Sequence, residues 1–126
     1  METLKVKRLI ADAFIPIRSQ QGSSIYEILS REDFIIKGKN THSFMSGISI
    51  KVPEGTCGLF VSSKLLICDS NLIFQPNEYT NLQGMLYNNY ERDLSIRRGV
   101  VIGYLIIHRV VTPDIEEILG TKWEIK

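Results

Sequence analysis

The chain has 126 residues, of which 44% are hydrophobic and 23% are charged, and its formal net charge is +1 at pH 7. This length and composition suffice to bury one hydrophobic core, so we expect a single domain over residues 1–126. The near-zero net charge, without any block of like charges, provides no electrostatic basis for binding nucleic acid. We therefore expect no nucleic-acid partner.

The longest apolar stretch does not predict a membrane span. A spanning helix requires roughly 20 apolar residues, whereas the run at residues 100–107 is shorter and is interrupted by Gly103 and Tyr104. The N-terminus also lacks the apolar stretch of a signal peptide. These features predict an intracellular protein without membrane insertion.

The cysteines and histidines do not form a recognisable ligand pattern. Cys57 and Cys68 are not in a CxxC arrangement, and His42 and His108 are far apart in sequence. We interpret the cysteines as reduced and partly buried side chains. We expect neither a metal site nor a cofactor.

The first half of the chain predicts short strands separated by polar turns. Residues 4–10 alternate between polar and apolar side chains, and residues 25–29 and 34–36 are short apolar runs. Residues 48–52 show the clearest alternation of the chain, which Pro53 ends.

The second half predicts a meander of strands within residues 81–111. Its strands are centred on residues 85–87, 93–96 and 100–107, and the last run is rich in β-branched residues. We interpret that run as a core strand buried on both faces. The only helical signal is a short turn at residues 113–117, so the pattern predicts an all-β barrel or jelly roll.

Five segments in a fixed order distinguish this chain: LKVKRL at residues 4–9, VPEGTCG at 52–58, MLYNN at 85–89, LSIRRGVVIGYLI at 94–106 and RVVTPDIEEI at 109–118. Together they resemble the trimeric dUTPase family, whose members hydrolyse dUTP to dUMP and pyrophosphate. The resemblance implies a dUTPase-like distorted β-barrel that assembles as a homotrimer.

The first two catalytic motifs of that family are altered in this chain. Glu27 stands where the family has an aspartate near the metal-bound triphosphate, and Ile25 replaces a glycine. We interpret Glu27 as a solvated strand residue. In the second motif, Ser62, Ser63 and Lys64 stand in place of proline, arginine and serine. A serine hydroxyl cannot replace the charge and bidentate geometry of an arginine, although Lys64 could still meet a phosphate.

The remaining motifs depart further from the family pattern. Gln75 stands where the family has the aspartate that orients the attacking water, with Glu78 or Tyr79 near the tyrosine that underlies the deoxyribose. Glutamine cannot accept a proton from water. Tyr104 replaces a phosphate-facing glutamine, and the glycine-rich fifth motif is not found. The substitutions predict a vestigial nucleotide pocket without catalytic residues.

The resemblance also predicts where subunits meet. Val100 and Val101 replace charged residues of the fourth motif and suit a dry trimer interface. Alternatively, the two valines fill the barrel interior. We expect residues 119–126 to form a tail that is exchanged with a neighbouring subunit, where Trp123 either docks or serves as an exposed anchor for a partner.

Among degenerate members, the chain resembles the dUTPase-like proteins of the adenoviral early-region-four first-reading-frame type. The shared pattern comprises residues 73–76, 82–88 and 99–111. This resemblance implies a non-catalytic viral homotrimer that contacts host signalling proteins in the cytoplasm, with the nucleus as a further compartment. The C-terminal Lys126 argues against PDZ binding, which requires a hydrophobic last residue.

Two other functions remain open at the level of sequence. One is residual dUTP binding or hydrolysis through Glu27, Lys64 and Tyr79. The other is a structural role in the virion, since β-rich trimers also form capsids.

Overall fold

The computed structural model of the chain describes residues 2–63, 66–70 and 73–120. These residues form strands and connecting turns without a helix, so the described part contains no helix that could cross a membrane. This confirms the predicted all-β fold. The strands are β1 (Lys5–Arg8), β2 (Ile17–Arg18), β3 (Ile25–Leu29), β4 (Phe34–Ile36), β5 (Thr41–Lys51), β6 (Thr56–Ser62), β7 (Leu66–Ser70), β8 (Ile73–Phe74), β9 (Thr80–Tyr87), β10 (Leu94–Ile96) and β11 (Val101–Arg109).

The strands pair into two large antiparallel sheets and one small one. The four-stranded sheet has the order β1-β5-β9-β7, and the five-stranded sheet has the order β2-β3-β11-β6-β8. Strands β4 and β10 pair only with each other. The register shifts between β5 and β9, between β7 and β9, and between β11 and β3. Such bulges bend the strands and explain the predicted distortion of the barrel.

The hydrophobic core lies between the two large sheets. Phe44 of the four-stranded sheet and Phe60 of the five-stranded sheet have ring centroids 6.0 Å apart. Both sheets also bury aliphatic side chains, so each sheet has one face in the core and an opposite, outer face. The other buried apolar residues are Ala13, Ile28, Ile36, Ile48, Ile50, Val52, Phe74, Leu82, Leu86, Ile96, Ile102 and Leu105.

Strand β5 is longer than the sequence predicted. The alternating pattern covers residues 48–52, whereas β5 spans Thr41–Lys51. In its middle, the buried Ser46 donates its hydroxyl to the Leu82 carbonyl at 2.7 Å, and Gly47 adopts a φ of +80°. The buried hydroxyl of Ser46 thus has a hydrogen-bond partner on β9, which offsets the cost of burying a polar group. The strand therefore continues through a polar residue that would otherwise favour a loop.

Strand β11 confirms the predicted strand, but within one copy of the chain it is not buried on both faces as predicted. Ile102 and Leu105 are buried, whereas Val100 is 38% exposed and Ile106 is half-buried. The apolar run therefore buries one face and leaves the other accessible. The predicted helical turn at residues 113–117 is also wrong, because this segment is irregular and exposed.

Candidate functional site

Glu27 and Tyr104 lie side by side on the outer face of the five-stranded sheet. Tyr104 on β11 is directly opposite Glu27 on β3. Their sequence neighbours Ile28 and Leu105 are 2% and 0% exposed and point into the core. Because successive strand residues alternate between faces, Glu27 and Tyr104 both project away from the core. Glu27 is the only carboxylate in the five strands of this sheet.

The two predicted serines lie at the end of β6, beside the same part of β11. Ser62 is opposite Gly103 in the sheet. The backbone N–H of Ser63 donates to the Ile102 carbonyl at 2.9 Å, and its hydroxyl donates to the Val101 carbonyl at 3.2 Å. Lys64 lies outside the described residues. Ser62 pairs with Gly103, the neighbour of Tyr104, so its side chain lies on the opposite face of the sheet from Glu27 and Tyr104. We call Glu27 and Tyr104 the sheet cluster.

Gln75 does not join the sheet cluster. It follows Phe74, which is opposite Gly58 on β6, four residues before Ser62. At a rise of about 3.3 Å per residue, this places the start of the Gln75 loop about 13 Å from Ser62 along the strand.

Tyr79 lies over the other sheet. Its ring centroid is 3.9 Å from Nζ of Lys7 and 5.7 Å from Nζ of Lys51, and both lysines belong to the four-stranded sheet. Tyr79 and Gln75 therefore form a second group, which a single copy keeps apart from Glu27 and Tyr104.

The loop that carries Tyr79 also contains a carboxylate to which the sequence analysis gave no chemical role. Glu78 precedes Tyr79 and is exposed. Gln75 stands at the position of the family's catalytic aspartate, and Glu78 was predicted only as a possible match for the family's tyrosine. A better signal is that Glu78 is the only acidic residue between β8 and β9.

The residues described do not form a site for a resident metal ion. Across residues 2–63, 66–70 and 73–120, no three Asp, Glu, His or Cys side chains lie close enough to hold one. Magnesium is often bound by one or two carboxylates together with substrate phosphates. A single carboxylate such as Glu27 suits a magnesium ion that arrives with a polyphosphate.

Two of the three predicted interface residues lie in the described part of the chain. Val100 is 38% exposed at the turn before β11, so it does not fill the barrel interior. Val101 is half-buried and opposite Leu29 on β3. Trp123 lies outside the described residues, as does most of the tail at residues 119–126.

Comparison with known proteins determines the family. The sequence profile of the dUTPase family matches residues 11–123. The chain belongs to the dUTPase family. The deoxyuridine 5'-triphosphate nucleotidohydrolase of Paramecium bursaria Chlorella virus 1 is 33% identical over 124 residues, which are 94% of this chain and 88% of that protein. The protein of the same name from Fowl adenovirus A serotype 1 is 24% identical over 116 residues, which are 88% of this chain and 65% of that protein.

Solved dUTPase structures share the fold. The dUTPase of Staphylococcus bacteriophage 80alpha superposes with a TM-score of 0.74 at 20% identity, covering 96% of this chain and 99% of that one. The dUTPase from phage phi11 of S. aureus superposes with a TM-score of 0.73 at 19% identity, covering 97% of this chain and 98% of that one. The predicted dUTPase-like fold is therefore confirmed.

The same comparison corrects the predicted function. The prediction of a non-catalytic protein that engages host proteins is contradicted, because the matching dUTPase relatives are named for hydrolysis of deoxyuridine triphosphate. The alternative of dUTP hydrolysis fits these findings better. The prediction was wrong because it took each substituted motif to mean that a catalytic group is missing. Glu27 keeps a carboxylate beside Tyr104, and Glu78 places another beside Tyr79.

Proposed function

We propose that this protein hydrolyses dUTP to dUMP and pyrophosphate. Its membership of the dUTPase family and the enzyme name of a relative that is 33% identical support the proposal. The observation that carries it is the position of Glu27, the only carboxylate in the strands of the five-stranded sheet, beside Tyr104 on the outer face.

In this proposal Glu27 faces the magnesium ion that the triphosphate brings with it. A carboxylate oxygen is a hard ligand that magnesium accepts, and one such ligand leaves room for phosphate oxygens and water. Tyr104 shares this face with Glu27 and stands at the phosphate-facing position of the fourth motif, and its hydroxyl donates a hydrogen bond to a phosphate oxygen. These side chains therefore hold the substrate but do not supply the base.

Glu78 is the proposed acceptor of the proton from the attacking water. Water attacks phosphorus, the bond to the pyrophosphate oxygen breaks, and the proton of the water must pass to a base. Gln75 cannot take that proton because an amide is neutral, whereas Glu78 lies in the same loop and is exposed to solvent. Tyr79 then offers its ring to the sugar, as the family resemblance implies.

The two groups of residues require more than one copy of the chain. The loop with Glu78 and Tyr79 follows β8, which pairs with the end of β6 that is farther from Ser62. We therefore propose a homotrimer in which neighbouring copies each contribute one group of site residues. The outer face of the five-stranded sheet suits such an interface, because it presents apolar residues that are 36–60% exposed: Ile17, Ile25, Leu59, Val61 and Ile73. Burial of this face is favourable.

The assembly is tested by light scattering of the purified protein. We expect a molecular mass three times the 14.4 kDa of one chain. A monomer at micromolar concentration would contradict the trimer, and it would also leave the two groups of site residues separated.

The activity is tested by measuring pyrophosphate release from dUTP in the presence of magnesium. We expect a kcat of about 1 s⁻¹ or more and little turnover of dCTP or dTTP under the same conditions. The family comparison motivates this preference for uracil. If the homogeneous trimer releases no pyrophosphate from dUTP, the proposed function is wrong.

A further inference from the structure

Two lysines lie near the ring of Tyr79 on the outer face of the four-stranded sheet, and a third lysine is adjacent to them. Lys5 and Lys7 are two residues apart on β1 and therefore project to the same face. Lys51 on β5 is directly opposite Lys5. The Nζ atoms of Lys7 and Lys51 lie 3.9 Å and 5.7 Å from the centroid of the Tyr79 ring. The lysines therefore concentrate positive charge around one aromatic ring.

None of these three lysines forms an ion pair within the described part of the chain. Every ion pair found there involves other cations, namely Arg31, Lys39, Arg98 and Arg109. Like charges placed directly opposite each other across two strands, as Lys5 and Lys51 are, destabilise a sheet. The tyrosine ring attracts two of the ammonium groups but carries no net charge. An anion bound between the lysines would remove this repulsion.

A groove beside the lysines provides room for such an anion. It has a volume of about 540 Å³, and Lys5 and Lys51 line it together with Val52, Pro53 and Pro76. Glu2, Thr3 and Glu54 also line the groove, and Glu2 is paired with Arg109. The volume is within the range of small-molecule sites, about 300–1,000 Å³.

We propose that Lys5, Lys7 and Lys51 bind the phosphate chain of a nucleotide beside Tyr79. A polyphosphate carries several negative charges on a compact chain, and lysine binds phosphate as a flexible point charge. The Tyr79 ring is then free to contact the sugar when Lys7 moves from the ring to a phosphate. The choice of a nucleotide rests on the proposed dUTP hydrolysis, but the charge argument applies to any polyphosphate.

The proposal is tested by calorimetry with three ligands: inorganic pyrophosphate, deoxyuridine, and a dUTP analogue with an imido bridge in place of the scissile oxygen. The variants are Lys7→Met and Lys51→Met, because methionine keeps an unbranched apolar stem without the charge. Each substitution is expected to raise the Kd for pyrophosphate and for the analogue about five-fold. The affinity for deoxyuridine, which has no phosphate, should not fall.

Two further variants separate charge from structure. Lys37→Met removes an exposed lysine after β4 and is expected to leave all three affinities unchanged. Lys7→Arg keeps the charge and is expected to retain most of the affinity for pyrophosphate. If Lys7→Arg loses as much affinity as Lys7→Met, or if both methionine variants bind pyrophosphate as the wild type does, the lysine site is overturned.

The outcome for this site is distinct from the outcome for the proposed hydrolysis. Wild-type protein that binds pyrophosphate through these lysines but does not hydrolyse dUTP would support the site and contradict the activity. Protein that hydrolyses dUTP while both methionine variants keep full affinity for the analogue would support the activity and contradict the site.

Discussion

The Asn88→Ala variant is expected to lower the free energy of unfolding by about 3–5 kcal/mol, because three backbone groups lose their hydrogen-bond partners. Asn88 is 0% exposed. Its side-chain amide donates to the carbonyls of Ile36 at 3.0 Å and Arg92 at 2.8 Å, and its carbonyl accepts from the N–H of Tyr90 at 2.9 Å. One side chain thus joins β4 to the turn that precedes β10.

Urea unfolding followed by circular dichroism measures this loss. The matched control is Asn89→Ala, which truncates the adjacent, exposed asparagine and is expected to change stability by less than about 0.5 kcal/mol. Asn88→Asp keeps an acceptor for Tyr90 but removes the donors, so it should remain destabilising. A loss below about 1 kcal/mol for Asn88→Ala would mean that water replaces the missing groups.

The role of Asn88 illustrates the limit of sequence reasoning for this fold. The residue belongs to the segment MLYNN, which contributes to the family resemblance. Its partner Ile36, however, is 52 residues away in sequence. Local patterns report which residues are apolar and where turns occur, but they do not report which distant carbonyl a buried amide reaches.

Strands were predictable where a local pattern alone determines them. Residues 25–29 and 34–36 form β3 and β4 with the expected bounds, and β10 at residues 94–96 is one residue shorter than the predicted segment 93–96. The first half of β5 was missed because it depends on a contact from Ser46 to β9, which no local alternation encodes. The order of strands within the sheets was likewise not contained in the pattern.

The candidate site was predictable in its residues but not in its geometry. Alignment with the family motifs selected Glu27 and Tyr104, and the sheet places them opposite each other. It did not reveal that Tyr79 lies over Lys7 on the other sheet, because the pairing of β1 with β5, and of β5 with β9, creates that contact. It also gave no chemical role to Glu78, since a carboxylate shifted along a loop does not match a fixed motif position.

The Glu27→Gln and Glu78→Gln variants are each expected to lower kcat for dUTP by about 10²- to 10⁴-fold. Glutamine has nearly the same shape as glutamate, so the fold should persist while the negative charge is lost. Loss of charge at Glu27 should also raise the magnesium concentration needed for half-maximal rate, whereas loss at Glu78 should not. The control is Glu91→Gln, which removes an exposed carboxylate whose nearest cation, Lys39, is 4.0 Å away; its kcat should match the wild type.

Mixing the two inactive variants tests whether neighbouring copies share each site. In randomly assembled trimers of Glu27→Gln and Glu78→Gln chains, a shared site is intact when one copy supplies Glu27 and its neighbour supplies Glu78. Co-expressed chains with two different affinity tags should therefore recover about a quarter of the wild-type activity. If both carboxylates act within one copy, every site lacks one of them and mixing recovers nothing. That result would contradict the shared site, whereas full activity of either variant alone would contradict the role assigned to its carboxylate.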